Sequence, residues 1–173
     1  MTAGLVAVVL IGGCGISKSS APKDSDHTIR DQCNRTLNFF ANDLGIADVA
    51  IEYGSDKPEG SIARGATCTI TQASLVGVGQ TRLRAMLPSE TDPPLLKGDP
   101  SYIPQSGYEE KVWLNRTDDA VRIATKVDGW QGTLTVNTAL IKTKSGDLKF
   151  KVSDQQIRSA SQFLIDLTSE LGS

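Results

Sequence analysis

The chain has 173 residues, a formal net charge of −2 and a hydrophobic fraction of 39%. That size suits one domain with a single core behind a short leader. With 18 basic against 20 acidic side chains there is no strong basic field, which excludes nucleic acid as the expected partner.

The first element is an apolar run from Leu5 to Ile11, closed by Gly12-Gly13-Cys14. A bilayer span needs about 20 apolar residues, so this run is too short to cross. It fits the h-region of a signal peptide, which is roughly 7–15 residues long. A small pair ahead of a cysteine resembles the lipobox of bacterial lipoproteins, with Ile11 where that family usually has Leu. The resemblance implies a signal peptide over residues 1–13 and a diacylglyceryl, palmitate-type anchor on Cys14. The leading Met1-Thr2-Ala3-Gly4 lacks the Lys or Arg that such signals carry, and a start upstream of Met1 would supply them. Residues 15–27, GISKSSAPKDSDH, are small and polar and read as a flexible tether. The folded domain is expected over 28–173.

The spacing predicts a helix from Thr28 to Leu44, with Ile29, Cys33, Leu37, Phe40 and Leu44 on one stripe. Asp26 or Thr28 can cap its start, and Gly45 stands at the C-cap. Val49–Tyr53, Thr67–Ala73 and Gln80–Leu87 read as strands, with 54–60 as a turn. The third places Leu83, Ala85 and Leu87 on one face and Arg82, Arg84 and Met86 on the other, where two arginines read as a solvated surface. With Cys14 assigned to the anchor, Cys33 and Cys68 remain. An even remainder in an exported chain reads as one disulfide, pinning the first helix to a strand, with two buried thiols as the alternative.

Residues 88–107 hold five of the seven prolines, so no element runs through them for long. A connection of that length in a compact domain is functional or disordered. Beyond it the pattern predicts four strands, 111–116, 121–127, 134–140 and 148–152, with Asp128-Gly129 and 144–147 as turns. Ser153 with Gln156 matches a capping box that opens a final helix with Ile157, Ala160, Leu164, Leu167 and Leu171 on its apolar stripe. The expected fold class is α+β. It has two layers: an antiparallel sheet with a C-terminal four-stranded meander, and N- and C-terminal helices packed on one face.

Catalytic constellations are scarce. The single histidine, His27, falls in the tether, where no triad would hold it. Asp118-Asp119 and Glu109-Glu110 are adjacent pairs that cannot face each other across a cleft. Gly77-Val78-Gly79 lacks the third glycine of a dinucleotide loop. Asn34-Arg35-Thr36 and Asn115-Arg116-Thr117 match glycosylation sequons only by accident in a bacterial lipoprotein. The expectation is a protein that is not an enzyme, with no catalytic residue, no metal site and no cofactor. Leu95, Leu96, Tyr102, Ile103, Tyr108, Trp113 and Trp130 form the candidate binding loop, on the ground that aromatic and apolar side chains clustered near a long loop suit a partner. Core packing is the competing account of both tryptophans.

Ile11-Gly12-Gly13-Cys14, Cys33 and Cys68, with the early and final helices, resemble the layout of small envelope lipoproteins of mycobacteria and related actinobacteria. The resemblance implies a membrane-anchored extracytoplasmic module that binds an envelope protein, lipid or glycan. Some members are encoded by temperate phages, which makes superinfection exclusion the first alternative. A carrier of a hydrophobic ligand, held between sheet and helices, is the second.

Overall fold

A computed structural model describes residues 26–54, 56–72, 76–87, 89–90, 99–139 and 150–172. Cys14, the apolar run, Leu95, Leu96 and residues 140–149 lie outside the described residues.

The structure is α+β: one open, seven-stranded antiparallel sheet with two helices. Helix α1 spans Ile29–Asn38 and runs into a π-helical turn, Phe39–Asp43. The strands are β1 (Val49–Glu52), β2 (Gly65–Gln72), β3 (Val76–Ala85), β4 (Ile103–Gln105), β5 (Lys111–Arg116), β6 (Ala120–Val127) and β7 (Trp130–Asn137). Helix α2 spans Asp154–Leu171. The sheet order is β1-β2-β3-β7-β6-β5-β4.

Local chemistry explains the helix ends. Thr28 caps α1: its side chain accepts from the Asp31 backbone N–H, and the Asp31 carboxylate accepts from the Thr28 backbone N–H at 2.8 Å. Ser153 and Gln156 form the same reciprocal box at α2. The helical stripe expected up to Leu44 changes pitch at Phe39, where the Leu44 N–H reaches back to the Phe39 carbonyl at 3.1 Å. Gly45, at φ +69°, then turns the chain toward β1.

Several strand limits differ from the sequence pattern. β3 starts at Val76 and absorbs Gly77-Val78-Gly79, so this triplet is sheet and not a phosphate loop. Leu87, expected on the inner face beside Leu83, lies past the strand end and is 61% exposed, while Met86 is buried. The proline-rich connection contains a three-residue strand, β4, with Pro104 at the sheet edge, where no N–H is needed on the open side. The expected strand over 148–152 is not seen in its described part, since Phe150 to Val152 take no strand pairing. Phe150 and Val152 are buried without it. The four consecutive strands that do lie side by side are β4, β5, β6 and β7.

The register assigns the inner face. Cys68, Thr81, Leu134, Ile123 and Leu114 form one cross-strand row, and Ala66, Leu83, Gly132, Thr125 and Val112 the next. Against these rows lies α1, through Cys33 and Gln32, and α2, through Leu164 and Thr168. Cys33 and Cys68 form a disulfide with Cα atoms 5.2 Å apart, both fully buried. Beside it runs a buried polar seam. Gln32 donates to Thr81 Oγ1 at 3.1 Å, and the Thr36 and Thr81 hydroxyls meet at 2.7 Å. The two helices meet where Phe39 and Phe163 stack, ring centroids 4.3 Å apart. Phe40, Ile70, Leu83, Ile123, Trp130, Leu134 and Leu164 fill the layer between helices and sheet, each below 2% exposure.

Candidate functional site

The outer face of the sheet carries a different chemistry. Pairing places Trp113, Ala124, Thr133, Arg82 and Thr67 in one row across five strands. A second row is Asn115, Arg122, Thr135, Gln80 and Thr69, and a third is Lys111, Lys126, Gln131, Arg84 and Gly65. Alternation along each strand makes this separation unavoidable, since a β-strand sends successive side chains to opposite sides. The inner face is apolar and the outer one is rich in Arg, Lys, Gln, Asn and Thr.

Neither helix covers that face, yet Ala124, Gln131 and Asn115 on it are buried. The described ends of the proline-rich connection reach it. Glu90 pairs with Arg84 at 3.2 Å and its backbone carbonyl accepts from Lys126. The same carboxylate accepts from the Leu87 N–H at 2.9 Å, which closes a turn just past β3. At the other end, Asn115 Nδ2 donates to Ser101 Oγ at 2.6 Å. Ser101 is fixed in turn by Asp99, whose carboxylate accepts from both its hydroxyl and its N–H. Those two bonds, hydroxyl first, hold the Asp99 carboxyl below the ordinary aspartate range. Tyr102 beside it is half-buried, and burial pushes its phenol up against the opposing pull of Arg122. Gln131 Oε1 and Asn115 Oδ1 are buried with no hydrogen-bond partner among the described residues.

The expected binding-loop residues separate on this scaffold. Trp130 is core: it is 1% exposed and lies against the end of α2, close to Gly172. Tyr108 is partly buried against the core cluster. Trp113 sits on the outer face, partly buried, with Pro104 as its cross-strand neighbour. Ile103 lies on the edge strand β4, 63% exposed. Among the described residues of that loop, Tyr102, Trp113 and the edge at Ile103 therefore share the outer side or rim of the sheet.

Two features were not apparent from the strand pattern. Arg64, just before β2, joins Arg82 and Arg84 around a groove of about 370 Å³ that Asp56, Gly65 and Thr67 also line. The sequence shows Arg64 but not its neighbour, because the β2–β3 register brings residue 65 opposite residue 84. The second is a cleft of about 770 Å³ between the β5–β6 turn and the start of α2. Arg116, Asp118, Thr138, Phe150, Lys151 and Asp154 are among its lining residues. Arg116 spans it, binding the Val152 carbonyl and Asp154.

His27 is held by the domain, since its carbonyl accepts from the Ile62 N–H at 3.0 Å and Thr28 bridges to Ser61. Among the described residues there is no group of three metal-ligating side chains, and no helix long and apolar enough to cross a membrane. No family model, no curated protein and no solved structure matches the chain.

Proposed function

We propose that the protein is a lipid-anchored extracytoplasmic binding module of the bacterial cell envelope, held by Cys14 and working through the outer face of its sheet. The observation that carries the binding reading is the composition of that face. It gathers Arg82, Arg84, Arg122, Lys126, Gln131 and Trp113 on a rigid sheet, with a long connection fastened to it at Glu90 and Ser101. Binding residues on loops set against a rigid scaffold are a common arrangement. The buried Cys33–Cys68 bridge supports the export reading, because such bonds persist in oxidising compartments. The carrier alternative lacks comparable support. The layer between helices and sheet is filled by large side chains, and both described clefts have charged rims.

The test combines address and surface. Cys14→Ala in the full chain is expected to move the protein out of lipid-modified membrane fractions, seen as loss of acyl-chain labelling. A photo-crosslinking residue at Thr133, on the outer face, is expected to capture an envelope component that the same residue at Gln162, on the exposed side of α2, does not. Acyl labelling that persists in Cys14→Ala, or equal capture from both positions, would count against the proposal.

A further inference from the structure

The groove bounded by Arg64, Arg82 and Arg84 lies where the N-terminal segment leaves the domain. Thr28 pairs with Ser61, and the Ile62 N–H binds the His27 carbonyl. Arg64 is two residues further on, or about 7 Å of chain. Its own carbonyl accepts from the Ala85 N–H at 2.9 Å, which fixes it beside the end of β3. The cationic groove and the exit of the N-terminal segment therefore occupy the same end of the sheet.

Charges at this end are partly spent and partly not. Arg84 is paired with Glu90, and Arg30 with Glu59. Arg64 and Arg82 are exposed and form no ion pair among the described residues. Asp56 is the acid that lines the groove. Arg82 stands directly opposite Thr67, whose hydroxyl offers a further donor beside the guanidinium. A planar guanidinium pair with a hydroxyl at its side suits the oxygens of a phosphate. The overall charge of −2 does not oppose this locally, because salt screens charges beyond about 10 Å at 0.1 M.

The chain between Cys14 and His27 sets the reach. Thirteen residues, 15–27, span at most about 45 Å when extended. A domain held at Cys14 therefore stays within contact range of the bilayer, and the tether leaves it at the end that carries the groove. Resting on the lipid-anchored reading of Cys14, we infer that this groove receives the phosphate headgroups of anionic phospholipids in the membrane that holds the anchor. Contact there brings the β2–β3 end of the outer face to the bilayer, with Trp113 three strands further along the same row as Arg82.

Arginine-selective modification tests this on the full chain. The protein is mixed with vesicles of phosphatidylcholine alone or with about a third phosphatidylglycerol, and each arginine is followed by peptide mass spectrometry. On the anionic vesicles at low salt, Arg64 and Arg82 are expected to react at least about fivefold more slowly, the scale set by about 1 kcal/mol per basic residue at an anionic surface. Arg158, exposed on α2, is expected to be unchanged, and about 0.5 M salt to remove the difference. Arg82→Gln is expected to restore fast modification at Arg64. Equal rates on both vesicles, equal slowing at Arg158, or the same protection by soluble glycerol phosphate without vesicles would each overturn the inference. Sedimentation with the vesicles reads attachment separately. A chain left in the supernatant fails the anchored reading, whereas one that sediments with unprotected arginines fails only the groove.

Discussion

The Phe40 ring lies directly on Gly79, so close that a Cβ at position 79 would stand 2.3 Å from the ring and 2.4 Å from the Thr135 carbonyl oxygen. Gly79 is thus the floor on which the π-helical turn rests. Gly79→Ala is expected to destabilise the fold by about 2 kcal/mol or more, since overpacking a filled site costs roughly 1–3 kcal/mol. Gly77→Ala, whose Cβ among the described residues would meet a Thr69 methyl at 3.9 Å, is expected to fall within about 0.5 kcal/mol of wild type. Urea denaturation of the two variants checks the contrast, and equal midpoints would refute this account of the contact.

The Cys33–Cys68 bridge closes a loop with a sequence separation of 35. In the chain-entropy model its loss costs about 4 kcal/mol. The double variant Cys33→Ser with Cys68→Ser is expected to show a lower urea midpoint by that order. Thiol alkylation of the denatured, unreduced wild-type chain is expected to leave Cys33 and Cys68 unlabelled. Full labelling of both would show that the bridge does not form.

The Asp31 carboxyl in the α1 capping box sits below the ordinary aspartate range, chiefly because the Thr28 backbone N–H donates to it and then because the Thr28 hydroxyl does. A carboxyl lowered in the folded state stabilises the fold above its unfolded value and loses that contribution as pH falls through its folded value. Stability is therefore expected to drop on acidification below the usual carboxylate range, and Asp31→Asn to flatten that drop. Thr28→Ala, which removes the cap itself, is expected to cost about 1 kcal/mol at neutral pH. Thermal melts across pH read both effects, and parallel curves for wild type and Asp31→Asn would contradict them.

Glu90 ties the start of the proline-rich connection to Arg84 and to the Leu87 N–H. Glu90→Gln is expected to speed proteolysis between residues 87 and 102 severalfold. Global stability should change by about 1 kcal/mol or less, the usual scale for a partly exposed ion pair. Mass mapping of limited digests, with a urea midpoint alongside, separates local release from unfolding. Unchanged digestion would mean the connection is held by other contacts.

Legibility in the sequence follows the range of the forces involved. Both capping boxes are written within four residues, so Thr28-Asp31 and Ser153-Gln156 can be located without any tertiary information. Period-two alternation likewise marks β6 and β7, because both strands turn one face toward α2. The π-helical turn at Phe39 breaks the 3.6-residue stripe for a reason seated far away, in Gly79 and Phe163. β3 begins earlier than its alternation suggests because Gly77 and Gly79 have no side chain with which to show a pattern. Trp130 and Trp113 look equivalent as letters. Pairing sends one to the helix side and the other to the outer face.

What the sequence determined alone is the set of local elements, the inward apolar stripes and a cysteine pair left over once Cys14 is set aside. These depend on neighbours within a few residues, or on counting. Tertiary structure decided the strand order, the covering of Asn115 and Gln131 on a face without helices, and the meeting of Arg64 with Arg82 across β2 and β3. Those outcomes depend on register, and a shift of one residue would turn every arginine of the outer face toward the core.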